Sequence, residues 1–210
     1  LTALALGALA IVLSLTAVWQ DGMLFMKSYR LDLFTQVFKV ILSLGLFLVI
    51  CICGELKDIS ARNRPEFYLL LFVCTLAMML LVSGNHLLTV YVSLELSSYS
   101  LYVLGTLRRQ KDMGVEAGIK YFLVGIFASA VMLFGIGLLY GTSHAMYLDD
   151  LVARIPGSVD QPMVLVAVLL TLGGFFFKFA LFPFHFWVAD VYQGANNQVT
   201  AFIATVSKVA

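Results

Sequence analysis

Three ionisable residues stand inside long apolar runs of this sequence: Glu95, Lys178 and Lys208. A charge at the centre of a membrane-spanning helix costs roughly 2.5–3.5 kcal/mol on insertion scales, so each needs a reason. A carboxyl group and two amines in a medium of low dielectric can exchange protons. Burial disfavours the charged form of each, and an opposite charge nearby restores it. A Glu–Lys pair can therefore act as a switch: while Glu95 is close, Lys178 keeps its proton, and on separation it tends to release it towards Lys208. Glu95 falls in the middle of an apolar run over 86–106, about 14 Å from either end of a helix of that length. Its side chain is too short to reach water. Tyr91, Ser98 and Tyr102 flank it at helical spacing and make one polar stripe. The alternative is a buried helix–helix hydrogen-bond site with no transport role.

Lys178 sits in "GGFFFKFALFPFHFW", residues 173–187. It lies roughly 22 Å along a run that begins at 163, and its four-carbon stem could also snorkel. Gly173 and Gly174 precede it and Pro183 follows. Pro183 lacks an N–H and crowds the Phe179 carbonyl, which predicts a broken helix. Broken membrane helices are tolerated where protein or a water-filled cavity satisfies the freed backbone, and they mark ion sites in transporters. His185 is seven residues past Lys178, on the same face if the helix continued. It is a candidate proton relay or a structural histidine near a helix end. Glu116 and Lys120 are four apart, either a surface pair or the start of a polar line inward. Lys39 is close enough to a helix end to snorkel. The small residues of Gly125-x-x-x-Ser129 and Gly137-x-x-x-Gly141 suit close helix packing.

The elements that must position these groups are membrane helices. Of 210 residues, 61% are hydrophobic and 12% charged, and mean hydropathy is +0.98. Soluble domains carry about 25% charge. A spanning helix needs about 20 mostly apolar residues. Seven candidates run approximately over 1–19, 33–53, 67–82, 86–106, 118–140, 163–188 and from 199 onward, with no intervening soluble domain. The loop 141–162 is expected to form a short surface helix. The fold class is thus all-α, a polytopic transmembrane bundle forming one membrane domain over 1–210. The chain opens at Leu1 and stops at Ala210 inside apolar runs, which suggests a fragment with its ends missing. Lys57, Arg62, Arg64, Arg108, Arg109 and Lys111 concentrate positive charge in 54–66 and 107–117. Those loops are expected on the cytoplasmic side, and 20–32, 83–85 and 141–162 on the outer side. A net charge of +1 gives no basic patch for nucleic acid. Cys51, Cys53 and Cys74 lack metal-ligand spacing and read as small core hydrophobes. No nucleotide, flavin, haem, iron–sulfur or metal motif is present.

Three stretches carry a resemblance: "VSLELSSYSLYVLG" (92–105), "EAGIKYFLVGIFASAVMLFGIGLLYG" (116–141) and "KFALFPFHFWVADVYQGANNQVTAFIATVSKVA" (178–210). Together they resemble the chain N type of antiporter-like subunits in the proton-pumping NADH:quinone oxidoreductase, respiratory complex I. The resemblance implies about fourteen helices with two inverted five-helix repeats, of which this chain would be the first part. It implies a multi-pass subunit of the bacterial inner membrane. Glu95 and Lys178 would form the ion pair, Lys208 would be the central proton-carrying lysine and Lys120 the lysine of the preceding helix. Quinone reduction elsewhere would drive the path. NADH, FMN, iron–sulfur clusters and quinone would belong to partner subunits, with no redox site here. The partners would be other membrane subunits of the complex, lipid and protons. Close alternatives are a subunit of a cation/proton antiporter or membrane-bound hydrogenase complex. A more distant one is a non-conducting scaffold. Ala189, Asn196 and Asn197 depart from the family loop, which usually reads like "PDVYEGAPTPV", and put its shape in question.

Overall fold

A computed structural model describes residues 1–54, 56, 59–107 and 111–210, with backbone alone for 111–114. Lys57, Arg108 and Arg109 lie outside the described residues, and of Lys111 only the backbone is described. Helices dominate: α1 (Thr2–Thr16), α2 (Leu33–Ile52), α3 (Arg64–Val82), α4 (Leu87–Thr106), α5 (Lys111–Ser143), α6 (Leu148–Arg154), α7 (Pro162–Phe179), α8 (Trp187–Gly194), α9 (Asn197–Ala204) and α10 (Val206–Val209). A short hairpin, β1 (Gly22–Leu24) and β2 (Tyr29–Leu31), joins α1 to α2.

Five helices among the described residues are long and apolar enough to cross a membrane: Leu33–Ile52, Ala61–Val82, Leu87–Thr106, Val115–Ser143 and Pro162–Phe179. The first expected span is a shorter apolar helix of 15 residues. The last two expected spans are both interrupted. The run over 163–188 stops at Phe179, and the run from 199 is divided at Thr205 into α9 and α10. The expected surface helix in 141–162 is α6.

Local chemistry explains the ends. Asp32 and Thr35 form a reciprocal capping box at the start of α2, with Thr35 N–H donating to Asp32 Oδ1 at 2.8 Å and Asp32 N–H to Thr35 Oγ1 at 3.1 Å. His86 Nδ1 accepts from Leu88 N–H at the start of α4. Proline stands in the first turns of α3 and α7, where its missing N–H costs nothing. At Thr205 the hydroxyl donates to the Ala201 carbonyl at 2.6 Å, a side-chain bond that bends helices.

The outer loops are knit together. Arg30 N–H donates to Ser83 O at 2.8 Å, Asn85 N–H to Ser28 O at 2.9 Å, and Leu87 N–H to Met146 O at 2.9 Å. Asn85 Nδ2 reaches Asp149 Oδ2 at 3.2 Å, and Tyr147 Oη reaches Met26 O at 2.8 Å. The three segments that charge assigns to one side, 20–32, 83–85 and 141–162, therefore meet at one end of the bundle. The main core runs from Cys53, Leu56 and Phe67 at the opposite end through Leu42, Leu46 and Phe177 to Trp187 and Val199. A second apolar cluster, with Leu87, Met132, Leu151 and Ala167, lies under the knitted loops.

Candidate functional site

Helix α4 carries the acid. Glu95 is 7% exposed, Ser98 fully buried and Tyr102 4% exposed, so most of the expected stripe turns inward; Tyr91 is half-buried. The stripe faces α5. Ser129 Oγ donates a short hydrogen bond to Glu95 Oε1. Ser129 reads from sequence as a packing residue, because a serine four after a glycine looks like small-residue spacing. In the fold it is the acid's hydrogen-bond donor. Gly125, one turn earlier, faces the Tyr102 hydroxyl so closely that a Cβ there would overlap it. The pair Gly137 and Gly141 behaves otherwise: a Cβ at either meets nothing within 4 Å. The tight approach of α5 to α7 occurs instead at Gly135 against Thr171 and at Gly174 against Met132.

Helix α7 carries Lys178 in its last turn. The helix ends as the proline predicts, four residues before Pro183, at the residue whose carbonyl that ring would crowd. Ala180 takes the left-handed conformation at φ 56°, and the chain closes with Ala180 N–H on Phe177 O at 3.1 Å and Leu181 N–H on Phe176 O at 2.9 Å. Two side chains complete the end. Trp187 Nε1–H donates to Phe177 O at 3.1 Å, and Lys208 Nζ donates to Lys178 O at 3.2 Å. The ammonium of Lys208 also lies 5.7 Å from the centroid of the Trp187 ring. A helix C-terminus carries roughly half a negative charge, so this is a natural place for a cation.

The structure brings the two lysines together and places the acid beside them without direct contact. Lys178 and Lys208 line one cavity of about 330 Å³ with Ser97, Ser207, Met78 and Phe38 among its walls. No ion pair within 4.0 Å joins Glu95 to Lys178 among the described residues. Instead α4 presents two polar faces. Glu95 looks towards Ser129, while Ser97 looks into the lysine cavity and accepts Cys74 Sγ–H at its carbonyl.

The remaining candidates separate. Lys120 pairs with Glu116 Oε1 at 3.0 Å and also with Asp190 Oδ2 of α8 at 3.1 Å, a partner that sequence spacing did not suggest. All three side chains are about half-exposed or more. Next to them Tyr121 stacks on Trp187, with ring centroids 4.4 Å apart, so α5 grips α8 at a charged and an aromatic point. His185 is exposed, with its ring 6.0 Å from Phe182. The helical spacing that would align it with Lys178 is lost because α7 ends at Phe179. Lys39 departs from its snorkelling expectation: it is 7% exposed, with Nζ 4.8 Å from the centre of the Tyr29 ring. Cys53 and Cys74 are buried as expected, but Cys51 is exposed. Of the three departures from the family loop, Asn196 has a visible consequence. It caps α9, its Oδ1 accepting from Gln198 N–H at 3.0 Å.

Residues 84–210 match the sequence family described as NADH:quinone oxidoreductase/Mrp antiporter, TM. NADH-quinone oxidoreductase subunit N 2 of Syntrophobacter fumaroxidans is 62% identical over 208 residues, which cover 99% of this chain and 44% of that protein. Its namesake from Opitutus terrae is 37% identical over 202 residues, covering 95% of this chain and 42% of that protein. In the solved respiratory complex I of Thermus thermophilus, one chain superposes with a TM-score of 0.82 at 36% identity, over 99% of this chain and 44% of its own length. A chain of the Mrp complex from Dietzia shares the fold, with a TM-score of 0.76 at 22% identity, over 95% of this chain and 39% of its own length. The chain thus spans a little under half the length of the curated relatives it matches.

Proposed function

Because the chain belongs to the NADH:quinone oxidoreductase/Mrp antiporter membrane family, we propose that it forms part of a proton-translocating subunit of a bacterial NADH:quinone oxidoreductase. It would sit in the inner membrane among the other membrane subunits, with NADH oxidation and quinone reduction carried out by partner chains. The observation that carries this reading is the end of α7. There, Lys178 and Lys208 share one cavity, and the Lys208 ammonium rests on the Lys178 carbonyl.

The chemistry follows from that placement. Two ammonium groups in one cavity repel, so a proton arriving on one favours departure from the other. The partial negative charge at the end of α7 holds the cation that remains. Glu95, anchored to Ser129 on α5, is the movable counter-charge. Breaking the Ser129 bond would let Glu95 approach Lys178 and hold its proton; restoring the bond would release it. Lys120, paired with Glu116 and Asp190 at the start of the α5 span, marks the cytoplasmic end of the same path. His185 stands apart on the surface, and the relay does not require it.

The test uses the intact oxidoreductase in sealed membrane vesicles. Glu95→Gln and Lys178→Met keep side-chain volume and remove the exchangeable charge. Each is expected to lower proton pumping per assembled complex at least about tenfold, a floor set below the roughly 10²–10⁴-fold that a positioned proton-transfer group contributes. Wild-type pumping in both variants would overturn the assignment.

A further inference from the structure

Among the described residues, five buried side-chain atoms have no hydrogen-bond partner in the protein: Ser83 Oγ, Tyr102 Oη, Asn196 Nδ2, Gln198 Oε1 and Thr200 Oγ1. Ser83 belongs to the knitted outer loops. The other four lie in the opposite half of the bundle, in the last turns of α4 and the first turns of α9. A buried polar atom left unpartnered costs about 1–3 kcal/mol, so such atoms in native proteins need an explanation. Several of them in one half of a membrane bundle mark the half that water can enter.

Tyr102 is the member of this set that connects to the acid. Its place follows from the register of α4 against α5. Glu95 meets Ser129, the Tyr102 hydroxyl meets Gly125, and Thr106 meets Gly118. The hydroxyl therefore lies on the seam that holds Glu95, two turns further on, or about 10 Å at 1.5 Å per residue. At the far end of the seam is a small polar pocket of about 120 Å³ lined by Glu116, Lys120 and Asp190. The ring is fixed edge-on against Tyr121, with centroids 4.6 Å apart, and against Phe122 at 5.7 Å. Ser98, one turn back towards Glu95, donates its own proton to the Leu94 carbonyl at 2.6 Å, which leaves its oxygen free to accept. A phenylalanine would fill the aromatic cage equally well without leaving a hydroxyl unpaired. Packing alone gives no reason for tyrosine here.

The geometry points to Tyr102 as a proton-relay residue on the α4/α5 seam, between the Lys120 pocket and Glu95. Its oxygen accepts a proton from a water that is itself reprotonated from the Lys120 ammonium, while its own proton passes to the Ser98 oxygen and the Ser98 proton, released from the Leu94 carbonyl, passes on to the Glu95 carboxylate. The side chain ends the step as the same neutral hydroxyl. This rests on the proton-translocating function proposed above and adds a residue to it.

Tyr102→Phe removes the hydroxyl and its approach to Ser98 but no hydrogen bond of good geometry, so the complex is expected to assemble in normal amount and keep its thermal midpoint. Pumping is expected to fall several-fold, and its solvent deuterium isotope effect to rise as the remaining proton transfer becomes limiting. Wild-type pumping with an unchanged isotope effect overturns the relay. Failure of the variant to assemble overturns it equally, because the hydroxyl would then be structural. Glu95→Gln measured in parallel separates the two levels. If it loses pumping while Tyr102→Phe keeps it, the Tyr102 relay falls alone. If both pump as wild type, the proton path through Glu95 falls with it.

Discussion

Glu95 and Ser129 show what a single residue contributes at this site. The serine hydroxyl is donated to a carboxyl group that is otherwise shut off from water. Ser129→Ala removes that donor from a carboxyl group held in the core. The expected cost is about 1–3 kcal/mol, read as a lowered midpoint of thermal inactivation of the assembled complex. A midpoint equal to wild type would show that Glu95 finds another donor. The acid was legible in the sequence, because a carboxylate in an apolar run has a known cost. Its donor was not, since a serine on a small-residue spacing looks the same whether it packs or bonds. Lys39 illustrates the same limit. Position near a helix end suggests a side chain reaching water, but only the folded hairpin reveals Tyr29 over the ammonium.

At the scale of elements, the end of α7 is held by α8, and α8 is held by α5. The charged grip, Lys120 on Asp190, is about half-exposed on both sides, so it contributes little to stability. The aromatic grip is different: Trp187 is 2% exposed, stacked on Tyr121 and bonded to the Phe177 carbonyl. Asp190→Asn is therefore expected to shift stability by less than about 1 kcal/mol. Trp187→Ala should cost about 3–5 kcal/mol and deplete the assembled complex. Comparing the assembly levels and thermal midpoints of the two variants checks this ordering, and equal effects would contradict it. Pro183 made the break in α7 readable in advance, because the proline's demand on the Phe179 carbonyl is local. The α5–α8 grip was not readable. Lys120 and Asp190 are seventy residues apart, and only the chain reversal after Phe179 brings them together. The bend at Thr205 was missed for a related reason: the threonine that makes it is compatible with a straight helix until its hydroxyl engages Ala201.

For the whole molecule, orientation is the property on which the direction of the proton path depends, and two independent observations bear on it. Positive charge concentrates in 54–66 and 107–117, and the loops 20–32, 83–85 and 141–162 meet at one end through backbone hydrogen bonds from Arg30, Asn85, Leu87 and Leu148. Charge alone could not show that those loops touch, and contact alone could not say which side they face. Together they predict the knitted end outside and the Lys120 pocket inside. Single cysteines in an otherwise cysteine-free chain test this in spheroplasts. Met26, 91% exposed at the hairpin tip, becomes Met26→Cys, and the exposed Arg62 of the opposite end becomes Arg62→Cys. A membrane-impermeant thiol reagent is expected to label Met26→Cys in intact spheroplasts, and Arg62→Cys only after the membrane is opened. The reverse pattern would invert the molecule. Tyr102 would then lie on the outer side of Glu95, and the seam would be an exit for protons instead of an entrance.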